Sequence, residues 1–109
     1  MEPVMGVEDP RRRPLPEPFE VRTAEQDGHS VMAVQGEIGG ATVGTLEAYL
    51  NGVTGPVVLD LGGVSFIDSM GLTLLLRATR NGLTIREVSP AVRRLLEQCG
   101  LENELRYAG

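Results

Sequence analysis

The chain has 109 residues, a net charge of −5, 41% hydrophobic residues, 4% aromatics and no Trp, which bounds it to one small domain with an aliphatic core. All of its basic residues are arginines, and apart from Arg11-Arg12-Arg13 and Arg93-Arg94 they form no cluster, which argues against direct nucleic-acid binding. One cysteine, no signal-like start and no run near the roughly 18 apolar residues of a membrane span predict a cytoplasmic protein without an internal disulfide or direct membrane contact.

Residues 1–18 hold five of the seven prolines, at positions 3, 10, 14, 16 and 18, mixed with charged residues and without apolar periodicity. Such a segment cannot offset its ordering entropy by burial, so a flexible Pro-rich extension is expected there and a folded domain over 19–109. From Phe19, apolar and charged residues alternate up to Asp27-Gly28, and an extended apolar run resumes at Val31, which reads as a hairpin. Gly36, Gly39 and Gly40 break that strand. Val43, Leu46, Tyr49, Leu50 and Val53 then recur at helical intervals, and Gly52 and Gly55-Pro56 end the helix.

Val57 to Leu61 is a short continuous apolar run, as expected of a central strand buried on both faces. Gly62-Gly63 reads as a turn. Asp68-Ser69 then opens a Leu-rich helix running to about Arg80, closed by Asn81-Gly82. A strand over Leu83 to Val88 follows. Ser89-Pro90 supplies an N-cap and a first-turn proline for a helix that ends at Gly100. Leu74, Leu75, Val92, Leu95 and Leu96 are the expected helix-to-sheet contacts, and the spacing of Cys99 from Val92, Leu95 and Leu96 predicts a buried small hydrophobe. The alternation gives an α/β architecture with a mixed sheet.

Chemistry concentrates at Asp68-Ser69-Met70-Gly71-Leu72. Either Asp68 or Ser69 can cap the helix, and if Asp68 does, the Ser69 hydroxyl is left at the surface, where the first-turn amides favour an added anion. A serine-hydrolase reading fails because Ile67 stands where a nucleophile elbow has Gly, and the single histidine, His29, belongs to the early turn. Asp60 and Asp68 have no His or Cys at metal-ligand spacing, and the Gly pairs lack a phosphate-loop pattern, so no metal, nucleotide or other cofactor is expected. Met70 has the adaptable side chain of a contact surface, whereas Leu72 fits either that surface or the core.

The Val57–Leu72 block, with Gly36-Glu37-Ile38 before it and Val88-Ser89-Pro90-Ala91-Val92-Arg93-Arg94-Leu95-Leu96 through Gly100-Leu101 after it, resembles the STAS domain of bacterial anti-sigma-factor antagonists. The resemblance spans about Phe19 to Tyr107. It implies a small mixed β-sheet with helices packed mainly on one face, and it makes Ser69 the phosphoacceptor within a partner-binding surface of Asp68, Ser69, Met70, Gly71 and Leu72. The implied partners are an anti-sigma factor with serine kinase activity and a PP2C-type phosphatase. The implied role is non-enzymatic: the unphosphorylated domain binds the anti-sigma factor and releases the sigma factor. A second role within the wider family is that of a STAS subunit in a lipid or solute ABC-type transport assembly. The chain departs from the family pattern at Gly39, where relatives place an Asp, in the short interval between Gly71 and Pro90, and in the last helix, expected to be absent or reduced to one turn.

Overall fold

The computed structural model describes residues 19–108, so the expectation for residues 1–18 lies outside the described residues. Seven elements follow in chain order: β1 (Glu20–Gln26), β2 (His29–Ile38), α1 (Val43–Asn51), β3 (Val57–Ile67), α2 (Ser69–Arg80), β4 (Thr84–Val88) and α3 (Pro90–Cys99). The sheet order is β1-β2-β3-β4, antiparallel between β1 and β2 and parallel thereafter. The hairpin turn is Asp27-Gly28, both with positive φ (51° and 84°), the backbone twist that lets a two-residue loop join twisted strands.

Parallel neighbours need crossover connections, and α1 and α2 supply them. Because β2, β3 and β4 step across the sheet in one direction, right-handed crossovers put these helices on one face. Their buried stripes join α3 and the inward residues of the strands in a single core, with Met32, Leu46, Leu59, Leu61, Leu75, Ile85, Val92 and Leu96 at its centre. The outward face carries polar groups instead: Arg86 pairs with Asp60 at 3.1 Å and donates to Gln26 at 3.3 Å. The mixed sheet with helices on one face is thus the expected architecture.

Five local expectations are corrected. Gly36 does not break the second strand: with φ 96° it lies inside β2 and pairs with Val64. The strand begun at Val57 is buried on one face only, since no helix covers the Asp60 side, and it runs on to Ile67. Gly62-Gly63 is therefore interior to β3 and not a turn. The β2–β3 register shifts between Ala33 and Gln35, and a Cβ at Gly63 would stand 2.8 Å from the Gln35 side chain, so glycine here permits an irregular, closely approached strand pair.

Cys99 is exposed. Val92 and Leu96 are buried, Leu95 is half-buried, and Gly100 takes a left-handed conformation (φ 69°) that turns the chain back. The Leu101 amide then donates to the Leu96 carbonyl at 2.8 Å, and Leu101 and Leu105 cover the core end instead of Cys99. Tyr49, expected on the apolar face of α1, is 44% exposed; Leu46 carries that burial. Beyond α3 the described chain has no helix and adds one parallel bridge, Tyr107 to Ile85, at the β4 edge.

Candidate functional site

Ser69 is placed by the end of β3. Ile67, the last residue of that strand, is buried, and the chain must then leave the sheet; the Asp68 amide donates to the Ile38 carbonyl at 3.1 Å, so β2 and β3 end together. Asp68 has extended backbone (φ −109°, ψ −174°) and is the N-cap of α2. Its Oδ1 accepts the Gly71 amide at 3.0 Å and its Oδ2 accepts the Gly40 amide at 3.2 Å. The choice left open between Asp68 and Ser69 is therefore decided in favour of Asp68. Ser69 is the first helical residue and is exposed.

The other three residues divide. Met70 is 55% exposed and extends over Gly40, whose Cβ would meet its sulfur at 3.5 Å. Gly71 and Leu72 are buried. A Cβ on Gly71 would press on Ile38 and Ile67, and Leu72 is 6% exposed within the core. The surface is thus formed by Ser69 and Met70, with Asp68 half-buried between them and the turn Gly39–Thr42, and with Gly71 and Leu72 beneath.

That turn is held from within. Thr42 Oγ1 donates to the Glu37 carbonyl at 2.7 Å and accepts the Gly39 amide at 3.0 Å, and the Thr42 and Val43 amides both donate to the Gly39 carbonyl. Gly40 as a donor to Asp68 was not legible from spacing, because 28 residues separate the two. Phe66, 51% exposed, was also missed: it lies opposite Glu37 on the helix-free side of the strand ends, three residues before Ser69. Strict alternation did not signal it, because two exposed residues, Ser65 and Phe66, separate buried Val64 from buried Ile67 where the β2–β3 register shifts.

Two other candidate hydroxyls are differently engaged. Thr73 is exposed but its Oγ1 donates to the Ser69 carbonyl at 2.8 Å, and Ser89 is 4% exposed with its Oγ accepting the Val92 amide at 3.3 Å. His29 begins β2 while Ser69 follows the far end of the parallel β3, so the strand length of about 30 Å separates them. The single histidine of the chain is therefore not at hand for Ser69. Among the described residues no three His, Cys, Asp or Glu gather as metal ligands, and no helix is long and apolar enough to cross a membrane. A cleft of about 300 Å³ between α1, α2 and the start of β3 lies toward the opposite end of α2, with Arg77 and Glu47 3.6 Å apart at its rim.

What the site can do chemically is present a hydroxyl that is not consumed in capping, on a first turn whose leading amides have no intrahelical acceptors. The family model described as Mlab, STAS domain, matches residues 21–107. The chain belongs to the STAS domain family. The match runs through every element of the sheet and all three helices, in agreement with the resemblance carried by the Asp-Ser-x-Gly-Leu motif. Among solved structures, this STAS domain is similar to an anti-sigma factor antagonist from Mycobacterium paratuberculosis, with 30% identity, a TM-score of 0.71, and coverage of 87% of this chain and 90% of the other. It also shares the fold of the anti-sigma factor antagonist SpoIIAA in its unphosphorylated form, at 20% identity and a TM-score of 0.62, covering 84% and 89% of the two chains. No curated protein sequence is similar enough to count as a relative.

Proposed function

We propose that this STAS domain is an anti-sigma-factor antagonist. In the unphosphorylated state the Ser69–Met70 surface docks on an anti-sigma factor that is also a serine kinase, and the sigma factor is released. Phosphate on Ser69 ends the docking, and a PP2C-type phosphatase restores it. The domain itself is a binding module and not an enzyme: the kinase brings its own base, Mg²⁺ and nucleotide, so the substrate serine needs only to be exposed.

The observation that carries this reading is the division of labour at the head of α2. Asp68 satisfies the cap through Gly71, and Ser69 beside it is exposed. The 30% identical antagonist supports the regulatory role over its full domain length. A phosphate adds about −1.5 to −2 charges and a hydration shell that must be stripped at a docking face. Within the free domain the helix amides face that charge, so the switch acts at the interface without unfolding the protein.

The test is a pull-down from the native host, followed by incubation of the recovered kinase with ATP. Ser69→Ala is expected to bind the anti-sigma factor and resist labelling, and Ser69→Asp to bind at least tenfold more weakly, since its charge must be desolvated. Equal labelling of wild type and Ser69→Ala moves the acceptor elsewhere; Ser65, which is exposed, is then the first alternative, whereas Ser89 is buried in its own cap. Recovery of a permease complex with no kinase replaces this reading with the transport-subunit role.

A further inference from the structure

β1 is an edge strand with an open outer side. The sheet order puts it at one end, and among the described residues nothing pairs with its other side. The opposite edge is partly covered: the Ile85 amide donates to the Arg106 carbonyl at 2.7 Å, and the Ile85 carbonyl accepts the Ala108 amide at 2.8 Å. The β1–β2 register runs without a shift from Glu20 to Gln26, a stretch with neither Pro nor Lys, so a bulge and the two residues that most often blunt an edge are all missing.

The hairpin fixes which backbone groups face outward. A two-residue turn closes on a pair that exchanges both of its hydrogen bonds, here Gln26 and His29. Bonding then alternates, so Glu20, Arg22, Ala24 and Gln26 direct their N–H and C=O groups to β2, while Val21, Thr23 and Glu25 direct theirs away from it. The Ser30 amide agrees with this parity: it donates to the Pro56 carbonyl at 3.0 Å, on the β3 side, as a residue between two β1-bonded neighbours must. Side chains alternate as well. Phe19 and Val21 pack against the core margin, and Glu20 and Arg22 pair at 2.9 Å on the helix-free face.

A second copy that adds antiparallel, with its helices on the same side as the first, can bond only through the outward-facing residues of both strands. Charge then selects the register. Setting Val21 against Thr23 of the copy puts Arg22 opposite Arg22, and setting Thr23 against Thr23 puts apolar Val21 opposite Glu25. Setting Val21 against Val21 puts Glu20 opposite Arg22 twice, at the positions without ladder bonds where side chains stand closest, and puts Phe19 opposite Thr23. We propose that β1 is a self-association edge: two copies pair antiparallel about Val21, joining their four-stranded sheets into one. Glu20 and Arg22 of both copies form a quartet of alternating charge, and the two Val21 side chains link the core margins. This goes beyond the antagonist reading and does not depend on it. The axis at Val21 is level with Val34, whereas Asp68 meets β2 at Ile38, so the two Ser69 surfaces point to opposite ends of the joint sheet and both stay open.

The experiment is sedimentation equilibrium on the full chain at concentrations up to about 1 mM, the range of a small and weak interface. The wild-type average mass is expected to rise with concentration toward twice that of the monomer. Arg22→Glu and Glu20→Arg change side chains that are 74% and 44% exposed, and each is expected to weaken self-association at least tenfold, because each sets like charges opposite one another. An equimolar mixture of the two variants is expected to recover it, since both cross-strand pairs between the unlike chains are then of opposite charge. On the unmodified chain, the Val21 and Thr23 amides are expected to exchange at least twofold more slowly at high than at low concentration, with the Glu25 amide, beyond this ladder, unchanged.

A wild-type chain that stays monomeric throughout would overturn the proposal, as would an association that survives either charge reversal. A mixture that associates no better than its components, although both melt as wild type does, would also overturn it, and so would protection that reaches Glu25, which belongs to another register. If a variant loses its fold, the exchange pattern of the unmodified chain decides alone.

Discussion

Gly71 approaches Ile38 so closely that a Cβ at position 71 would stand 2.6 Å from the Ile38 carbonyl oxygen and 2.8 Å from its Cγ2. The head of α2 is thereby laid directly on the end of β2, which is what brings Ser69 level with the β2–α1 turn. The nearest obstacle is backbone, so it cannot rotate away. Gly71→Ala is expected to destabilise the domain by about 1–3 kcal/mol through overpacking. Urea denaturation measures this, and an unchanged midpoint would show that the two elements separate freely.

The core should respond unequally along its two later helices. Leu75 is fully buried, so Leu75→Ala is expected to cost about 2–5 kcal/mol. Leu95, read from spacing as a main contact, is only partly buried at the core margin, and Leu95→Ala is expected to cost less, about 1–2 kcal/mol. Equal losses in the two variants would place Leu95 in the centre of the core.

Thr79 offers a test in the stabilising direction. It is 5% exposed and its Oγ1 has no hydrogen-bond partner. A buried hydroxyl without a partner forfeits its hydration, so the near-isosteric Thr79→Val is expected to raise stability by about 1 kcal/mol. A clear loss on thermal denaturation would mean that an internal water satisfies the hydroxyl.

Ser89 is a structural serine, in contrast with Ser69. Its side chain is buried and caps α3 through the Val92 amide, ahead of Pro90. Ser89→Ala is expected to cost about 1 kcal/mol and to leave partner binding unaltered once the protein is folded. The same substitution at Ser69 should have the reverse pattern: little effect on the denaturation midpoint and a full effect on phosphorylation.

The local signals that survived are those in which chemistry and conformation coincide in a few adjacent residues. Ser89-Pro90 and Gly100 bound α3, Asp27-Gly28 makes the hairpin, and Asp68-Ser69 opens α2, because caps and turns are settled by the residue's own hydrogen-bonding and φ preferences. The order of elements, the mixed sheet and the family motif were legible for the same reason. Tertiary structure alone decided the rest. Gly62-Gly63 reads as a turn until a neighbouring strand with a shifted register passes beside it, and Cys99 reads as buried until Gly100 turns Leu101 and Leu105 over the core end. Most of all, the contact between the turn after β2 and the head of α2 has no local signal. The Asp68 carboxylate accepts the Gly40 amide from 28 residues earlier in the chain, and the parallel pairing of β2 with β3 is what brings the two together.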